Sequence, residues 1–291
     1  MDTVVQTLVN ALMQSSFVAL MAVGLVLIFG VMRVINFAHG EFYMAGAYVV
    51  FWLYAQHELP FFAAVVAAMI IVGIIGLIIE QLLFKPMREN PLGGLIMSIG
   101  VLFILQVLAA VTFGVGLMKH IPPLYPGATP LFGMDGVSVP WQRLVAFGIA
   151  VVLLIGFWLF LKRTRLGWAL RACAQDREAA ALQGMSINKL ALLAMGLGAG
   201  MAGAAGAIMA PLVRVYPYIG GPVIVTAFIV IVVGGIGSLE GAVLAAVLYT
   251  FFHTFVATYL DGTIASILGL LLMLLVLIVR PAGLLGKGEK V

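Results

Sequence analysis

Nine stretches of this chain carry no charged residue, and each approaches or exceeds the length that crosses a lipid bilayer. They are Thr3–Met32, Phe42–His57, Leu59–Ile79, Asn90–Met118, Leu144–Leu161, Leu190–Val213, Val215–Leu239, Gly241–Leu260 and Gly262–Val279. A helix traverses the roughly 30 Å hydrocarbon layer in about 20 residues. Only 9% of the 291 residues are charged, against about 25% in soluble domains, so the solvent for most of this surface is lipid. A membrane barrel requires segments that alternate apolar with polar residues, whereas Ala63–Ile79 is apolar on every side. The expectation is an all-α integral membrane protein. It would form one domain over residues 1–291, a polytopic helical bundle of eight to ten membrane segments.

Two of the nine runs are irregular. Phe42–His57 is short and follows a polar stretch, and Val215–Leu239 contains Pro217, Gly220-Gly221-Pro222 and Gly234-Gly235. Either reads as a broken or re-entrant segment, which is tolerated at membrane depth only against protein or a water-filled cavity. The first run lacks the basic leader of a cleaved signal, so it reads as a membrane helix whose polar start (Gln6, Asn10, Gln14) lies along the interface.

Loops rich in Lys and Arg stay on the cytoplasmic side. With nine alternating crossings, Lys119, Arg143 and Arg214 fall on one side and the other twelve basic residues on the opposite one. This bias places the N-terminus outside and the C-terminus in the cytoplasm. The outer loop 116–140 carries five prolines, with Tyr125 and Phe132 between them; it is either a stiff connector or a docking surface for an external partner.

The inner loop 162–189 is dense in helix formers. Asp176-Arg177-Glu178 suits the positive start of a short helix, and Gly184 suits its left-handed end. The expectation is an amphipathic helix exposed on the cytoplasmic face, which either rests on lipid headgroups or inserts into a cytosolic partner. Cys173 is the only cysteine, so neither an internal disulfide nor a thiolate metal cage is available.

The sequence lacks a convincing engine of its own. A phosphate-binding loop needs Gly-x-x-x-x-Gly-Lys-Ser/Thr, and the nearest approach, Gly283–Gly288, has the wrong spacing and no hydroxyl. Ion-driven carriers display ionisable groups within the membrane. Here Glu41, Glu80 and Glu240 stand at run ends and His253 alone lies well inside one, where it reads as a buried hydrogen-bonding residue. A separate energy-supplying subunit is the better inference, and the chain is not expected to be an enzyme. A passive channel or ion-coupled carrier is the rival of another class.

Three segments carry a family resemblance. Glu178-Ala179-Ala180-x-x-x-Gly184 looks like the coupling motif of ATP-binding-cassette permeases. Arg33–Tyr48, with Asn36-Phe37-Ala38-His39-Gly40-Glu41 at its centre, and Val233–Gly241 are similar to segments of branched-chain amino acid permeases. The resemblance covers nearly the whole chain. It implies the membrane-spanning subunit of an importer in a bacterial inner membrane, for branched-chain or related amino acids. Its partners would be a second related permease chain, two cytoplasmic ATPase subunits that carry ATP and Mg, and a periplasmic solute-binding protein. The same architecture could serve urea, short amides or aromatic acids.

On that reading Glu178, Ala179, Ala180 and Gly184 couple the chain to the ATPase. Asn36, His39, Gly40 and Glu41 either cap helix ends across the bundle or touch the passing solute, since broken helices near a midplane line transport paths. Gly235 and Ser238 are expected to match them in the second half as an inverted repeat. Asn, His and Glu over six residues supply too few strong ligands for a metal. The Gly-rich stretch Gly196–Gly206 reads as a helix-packing face. The bilayer is the remaining partner, and no nucleic acid is expected. Since no intramembrane charge pair matches a zwitterion, solute affinity is expected to reside in the delivery protein.

Overall fold

The computed structural model describes residues 2–88, 90–116, 118–131 and 134–286; Phe132, Lys287 and Lys290 lie outside this set. Eleven helices are described: α1 Asp2–Met32, α2 His39–Val50, α3 Phe61–Ile79, α4 Pro91–Phe113, α5 Trp141–Arg163, α6 Arg165–Gln175, α7 Arg177–Leu182, α8 Ile187–Met209, α9 Gly220–Gly234, α10 Leu239–Tyr259 and α11 Gly262–Val279. Seven helical stretches are long and apolar enough to cross a membrane. The shorter α9 and the α2 helix, which a π-helical turn extends through Phe51–Gln56, supply two more crossings.

The two faces of the bundle are separated by what α1 touches at its ends. Near its start, Gln6 accepts from the Ser138 N–H and Asn10 accepts from Arg143. The first contact joins it to a two-stranded antiparallel hairpin, β1 Ala128–Leu131 and β2 Met134–Pro140, and the second to the start of α5. The polar start of α1 therefore continues the helix and docks the hairpin, where the sequence suggested an interfacial segment. The 116–140 loop likewise contains strand, a local departure from the all-α expectation that lies outside the helical bundle. Just past the other end of α1, Arg33 reaches the Ala174 carbonyl of α6 at 3.5 Å. The N-terminus and the hairpin thus share one face, and α6 and α7 occupy the other.

Between those faces α1 and α8 form the centre. Their membrane windows are 89% and 78% buried, against 11% for α11. The glycines of α8 allow this: Gly198 lies under the Gly24 carbonyl, and Gly200 lies under that of Met69. Small side chains let helices pack by direct backbone approach, as the stretch Gly196–Gly206 predicts.

The helices form an inverted repeat. α1 runs from the hairpin face to the α6–α7 face and α8 runs back. α3 packs along α8 as α10 packs along α1, and α4 meets α2 as α11 meets α9. In each half a long helix is followed by an Arg-Val pair, Arg33-Val34 or Arg214-Val215, then non-helical backbone, then a half-length helix. The counterpart of Arg33–Glu41 is therefore Arg214–Pro222. This corrects the expectation for Gly235–Gly241, which joins α9 to α10: Gly235 ends one helix at φ +105°, and Ser238 starts the next by accepting from the Gly241 N–H at 3.0 Å. A turn between two helices has the same Gly-rich, acid-terminated composition as a broken crossing, which is why the two look alike in sequence.

Candidate translocation joint and coupling surface

The two broken crossings meet inside the bundle. His39, the first residue of α2, donates from Nε2 to the Met21 carbonyl at 3.1 Å, and Met21 lies well inside α1. At about 1.5 Å per residue this is about 17 Å short of the end of α1. The non-helical residues Val34–Ala38, which end in a turn at Phe37-Ala38, carry the chain back to that depth. α2 then continues outward to Phe51, whose ring lies 5.6 Å from the Lys119 amine. On the other side, Val215 exchanges backbone hydrogen bonds with Lys119 on the hairpin face. The chain then descends to α9, whose first residue, Gly220, packs on Gly40.

The exposed backbone of the first break is satisfied by protein, as membrane depth demands. Asn36 Oδ1 accepts from the Ala38 N–H at 3.0 Å, and Ser98 on α4 accepts from the Phe37 N–H at 3.2 Å. Gln106, also on α4, donates to Glu41 Oε1 at 2.9 Å. That same carboxylate oxygen lies against Gly220, at the positive end of α9, where a negative charge is favoured. Asn36, His39 and Glu41 are all fully buried. His39 Nδ1 and Glu41 Oε2 have no hydrogen-bond partner among the described residues. A cleft of about 160 Å³, bounded by Phe17, Met21, Tyr43, Pro222 and Thr226, lies on the same elements.

Four of the six sequence-selected pathway residues, Asn36, His39, Gly40 and Glu41, therefore come together at mid-depth. Glu41 stands at the end of a charge-free run in sequence and inside the bundle in space, because the non-helical residues carry it there. Gly235 and Ser238 do not join them, lying about 21 Å away along α9. His253 is half-buried with its ring packed on Tyr249 at 5.7 Å, in place of the buried hydrogen bond expected of it. No group of three or more metal-ligating side chains occurs among the described residues.

On the opposite face from the hairpin, the inner loop folds as two helices. Thr164 caps α6 by accepting from the Gly167 N–H at 3.0 Å, and Asp176 caps α7 by accepting from the Ala179 N–H at 2.9 Å. Asp176 is extended, so the short helix expected between Asp176 and Gly184 is α7, and α6 precedes it as a separate helix. α6 buries Gly167, Leu170 and Cys173, while α7 buries only Ala180. Glu178, Ala179 and Gly184 are exposed, and Leu182 is 87% exposed. Gly184 adopts φ +80° as the segment turns toward α8. Leu182 thus presents an apolar side chain at the end of a short helix on this face.

The family model described as the permease component of branched-chain amino acid transport systems matches residues 7–279. The chain belongs to this family. It is 35% identical over 297 residues to the high-affinity branched-chain amino acid transport system permease protein BraD of Pseudomonas aeruginosa, covering 98% of this chain and 96% of that one. It is 31% identical to the LivH permease protein of the corresponding system in Escherichia coli, with the same coverage. A probable LivH protein of Methanocaldococcus jannaschii is 26% identical over 97% of this chain and 92% of its own. No solved structure matches.

Several residues that shape this permease escaped sequence reasoning. Gln106 and Ser98 sit within an apolar helix, and only their polarity in that setting could have marked them. Gly220 was visible as a helix breaker but not as the neighbour of Gly40. Glu80 and Arg88 looked like ordinary boundary charges, yet Glu80 is fully buried and ion-paired with Arg88.

Proposed function

We propose that this permease is the membrane-spanning subunit of an ATP-driven importer of branched-chain or closely related amino acids. It pairs with a second, related permease chain, receives solute from a periplasmic binding protein and is driven by two cytoplasmic ATPase subunits. The hairpin face is periplasmic and the α6–α7 face cytoplasmic, so the N-terminus is outside and the C-terminus inside. The observation that carries the reading is the exposed α7 helix. Glu178, Ala179 and Leu182 project from a short, doubly capped segment, with Ala180 anchoring it and Gly184 turning it back. Such a part suits a groove on an ATPase subunit and transmits the movement of that groove.

The translocation path runs beside the joint of α2 and α9, where Asn36, His39, Gly40 and Glu41 gather. The joint is closed in this conformation, with Gly40 on Gly220. The apolar cleft alongside it accommodates an aliphatic side chain and offers no charged pair for both ends of a zwitterion. Affinity therefore resides in the delivery protein, and the permease supplies a gated passage.

Reconstitution in proteoliposomes tests this. The chain assembled with its second permease, ATPase subunits and binding protein should accumulate radiolabelled leucine only with ATP, and the chain alone should pass none. Leucine movement through the isolated chain without ATP would overturn the importer reading. ATP-driven uptake of urea, with leucine excluded, would overturn the solute assignment.

A further inference from the structure

Glu80 ends the apolar helix α3 and is fully buried; its partner Arg88, in the connection to α4, is 8% exposed. Arg88 also donates to Asn188, in the first turn of α8. One guanidinium therefore ties together the end of α3, the entry to α4 and the start of α8, the helix that follows directly from α7. Replacing such a buried pair by apolar side chains is often neutral or stabilising, so stability alone does not explain it. Glu80 Oε2 has no hydrogen-bond partner among the described residues.

The helix that begins after Arg88 reaches the joint. α4 is mostly lipid-facing, its membrane window only 28% buried, yet it touches the first broken crossing at three levels. Gly94 packs under Val34, Ser98 accepts from the Phe37 N–H, and Gln106 donates to Glu41. A helix with little packing elsewhere and three attachments to one segment moves with that segment.

We propose that Glu80, Arg88 and Asn188 are positioning residues that carry displacement of the α7 segment to α4, and through Ser98 and Gln106 to the joint of α2 and α9. The inference rests on the coupling role proposed above for α7. Arg suits this post because its planar fork holds two acceptors at once. Asn188 supplies the link to α8, which follows α7 directly and packs against it, and Glu80 supplies the link to α3. A physical coupling claim of this kind requires an element that both sites bias; α4 is the element proposed here, and the labelling experiment below tests it.

The test uses the assembled transporter in proteoliposomes and reads ATP hydrolysed per leucine imported. Asn188→Ala leaves the buried pair intact and cuts the tie to α8; the ratio should rise at least fivefold. Asn188→Asp keeps an acceptor for Arg88 and should restore the ratio to within twofold of the parent. Glu80→Gln should raise it further in whatever fraction assembles. An unchanged ratio in Asn188→Ala, a parallel fall of hydrolysis and uptake, or failure of Asn188→Asp to rescue would overturn the relay.

A second readout needs no solute, so it separates the relay from the solute assignment. In a Cys173→Ala background, Ser98→Cys should react with maleimide at least fivefold faster when the ATPase is trapped with ATP and vanadate. Asn188→Ala should abolish that increase; an equal increase in both would overturn the relay even if leucine import holds.

Discussion

Gly40 and Gly220 sit so close that a β-carbon on Gly40 would come within 2.5 Å of the Gly220 carbonyl oxygen and 2.9 Å of the Ile224 β-carbon. The obstacle is largely backbone, which cannot swing aside as a long side chain would. Gly40→Ala should therefore force the two half-helices apart. Overpacking of this kind costs about 1–3 kcal/mol, and the variant should show a lower midpoint in a thermal-shift assay. Leucine uptake by the assembled transporter should fall at least tenfold, and wild-type uptake would show that the joint need not close.

Gly184 presents the opposite case. Nothing lies within 4 Å of where its β-carbon would sit, but its φ of +80° suits glycine alone. Gly184→Ala should cost about 1 kcal/mol through backbone strain and leave the bundle assembled. Gly184→Trp adds bulk on the exposed face beside α7. It should leave the permease in the membrane while ATP hydrolysis proceeds without uptake. Paired assays of hydrolysis and leucine accumulation check this.

The lone thiol and the exposed tip of α7 together report sidedness. Cys173 is buried, and burial pushes its thiol above the ordinary range, so little thiolate is present at neutral pH. Impermeant maleimide should label native Cys173 slowly from either side, and faster as pH rises toward the raised pKa. Leu182→Cys in a Cys173→Ala background should label rapidly, and only when reagent reaches the cytoplasmic face. Labelling from the periplasmic side would invert the assigned topology.

Asp261 caps α11 by accepting from the Thr263 N–H at 2.7 Å. That hydrogen bond, made first by the backbone of Thr263, holds the carboxyl below its usual range. A depressed folded-state pKa stabilises the fold above the unfolded-state pKa, and the benefit is lost as pH falls through the folded value. Asp261→Ala should thus melt earlier than the parent at pH 7, with the gap narrowing in acid. Asp261→Asn retains a neutral acceptor whose own contribution does not titrate, so its gap to the parent should be smaller at pH 7 and should also narrow in acid as the parent's carboxyl protonates. Thermal scans in detergent from pH 7 to pH 3 read both.

Much of this architecture is local, and the local parts were legible. Asp176 and Gly184 bracket a short helix through cap chemistry that needs no distant partner. The charge-free runs locate the seven long apolar helices and the shorter α2 and α9, because lipid excludes charge regardless of how helices pack. What escaped depends on the third dimension. Glu41 and Glu80 stand at the ends of apolar runs, a position that reads as the membrane boundary. Glu41 is carried inward by the non-helical stretch before α2 and Glu80 is covered by Arg88, and neither effect has a signature in spacing. The repeat was missed at Arg214 because only an Arg-Val pair and a glycine survive from one half to the other. Gly235–Ser238 offered a more similar composition for an unrelated reason, a helix-to-helix turn.

The inverted repeat gives α5 a role beyond packing. Four crossings return a chain to the face from which it set out, so two such units in tandem would enter the bilayer the same way up. The single odd helix between them flips the second unit and lets the half-helices approach start to start. The fold is accordingly governed by parity: gain of two spans in the α4–α8 link preserves the joint, whereas gain or loss of one turns half the molecule over.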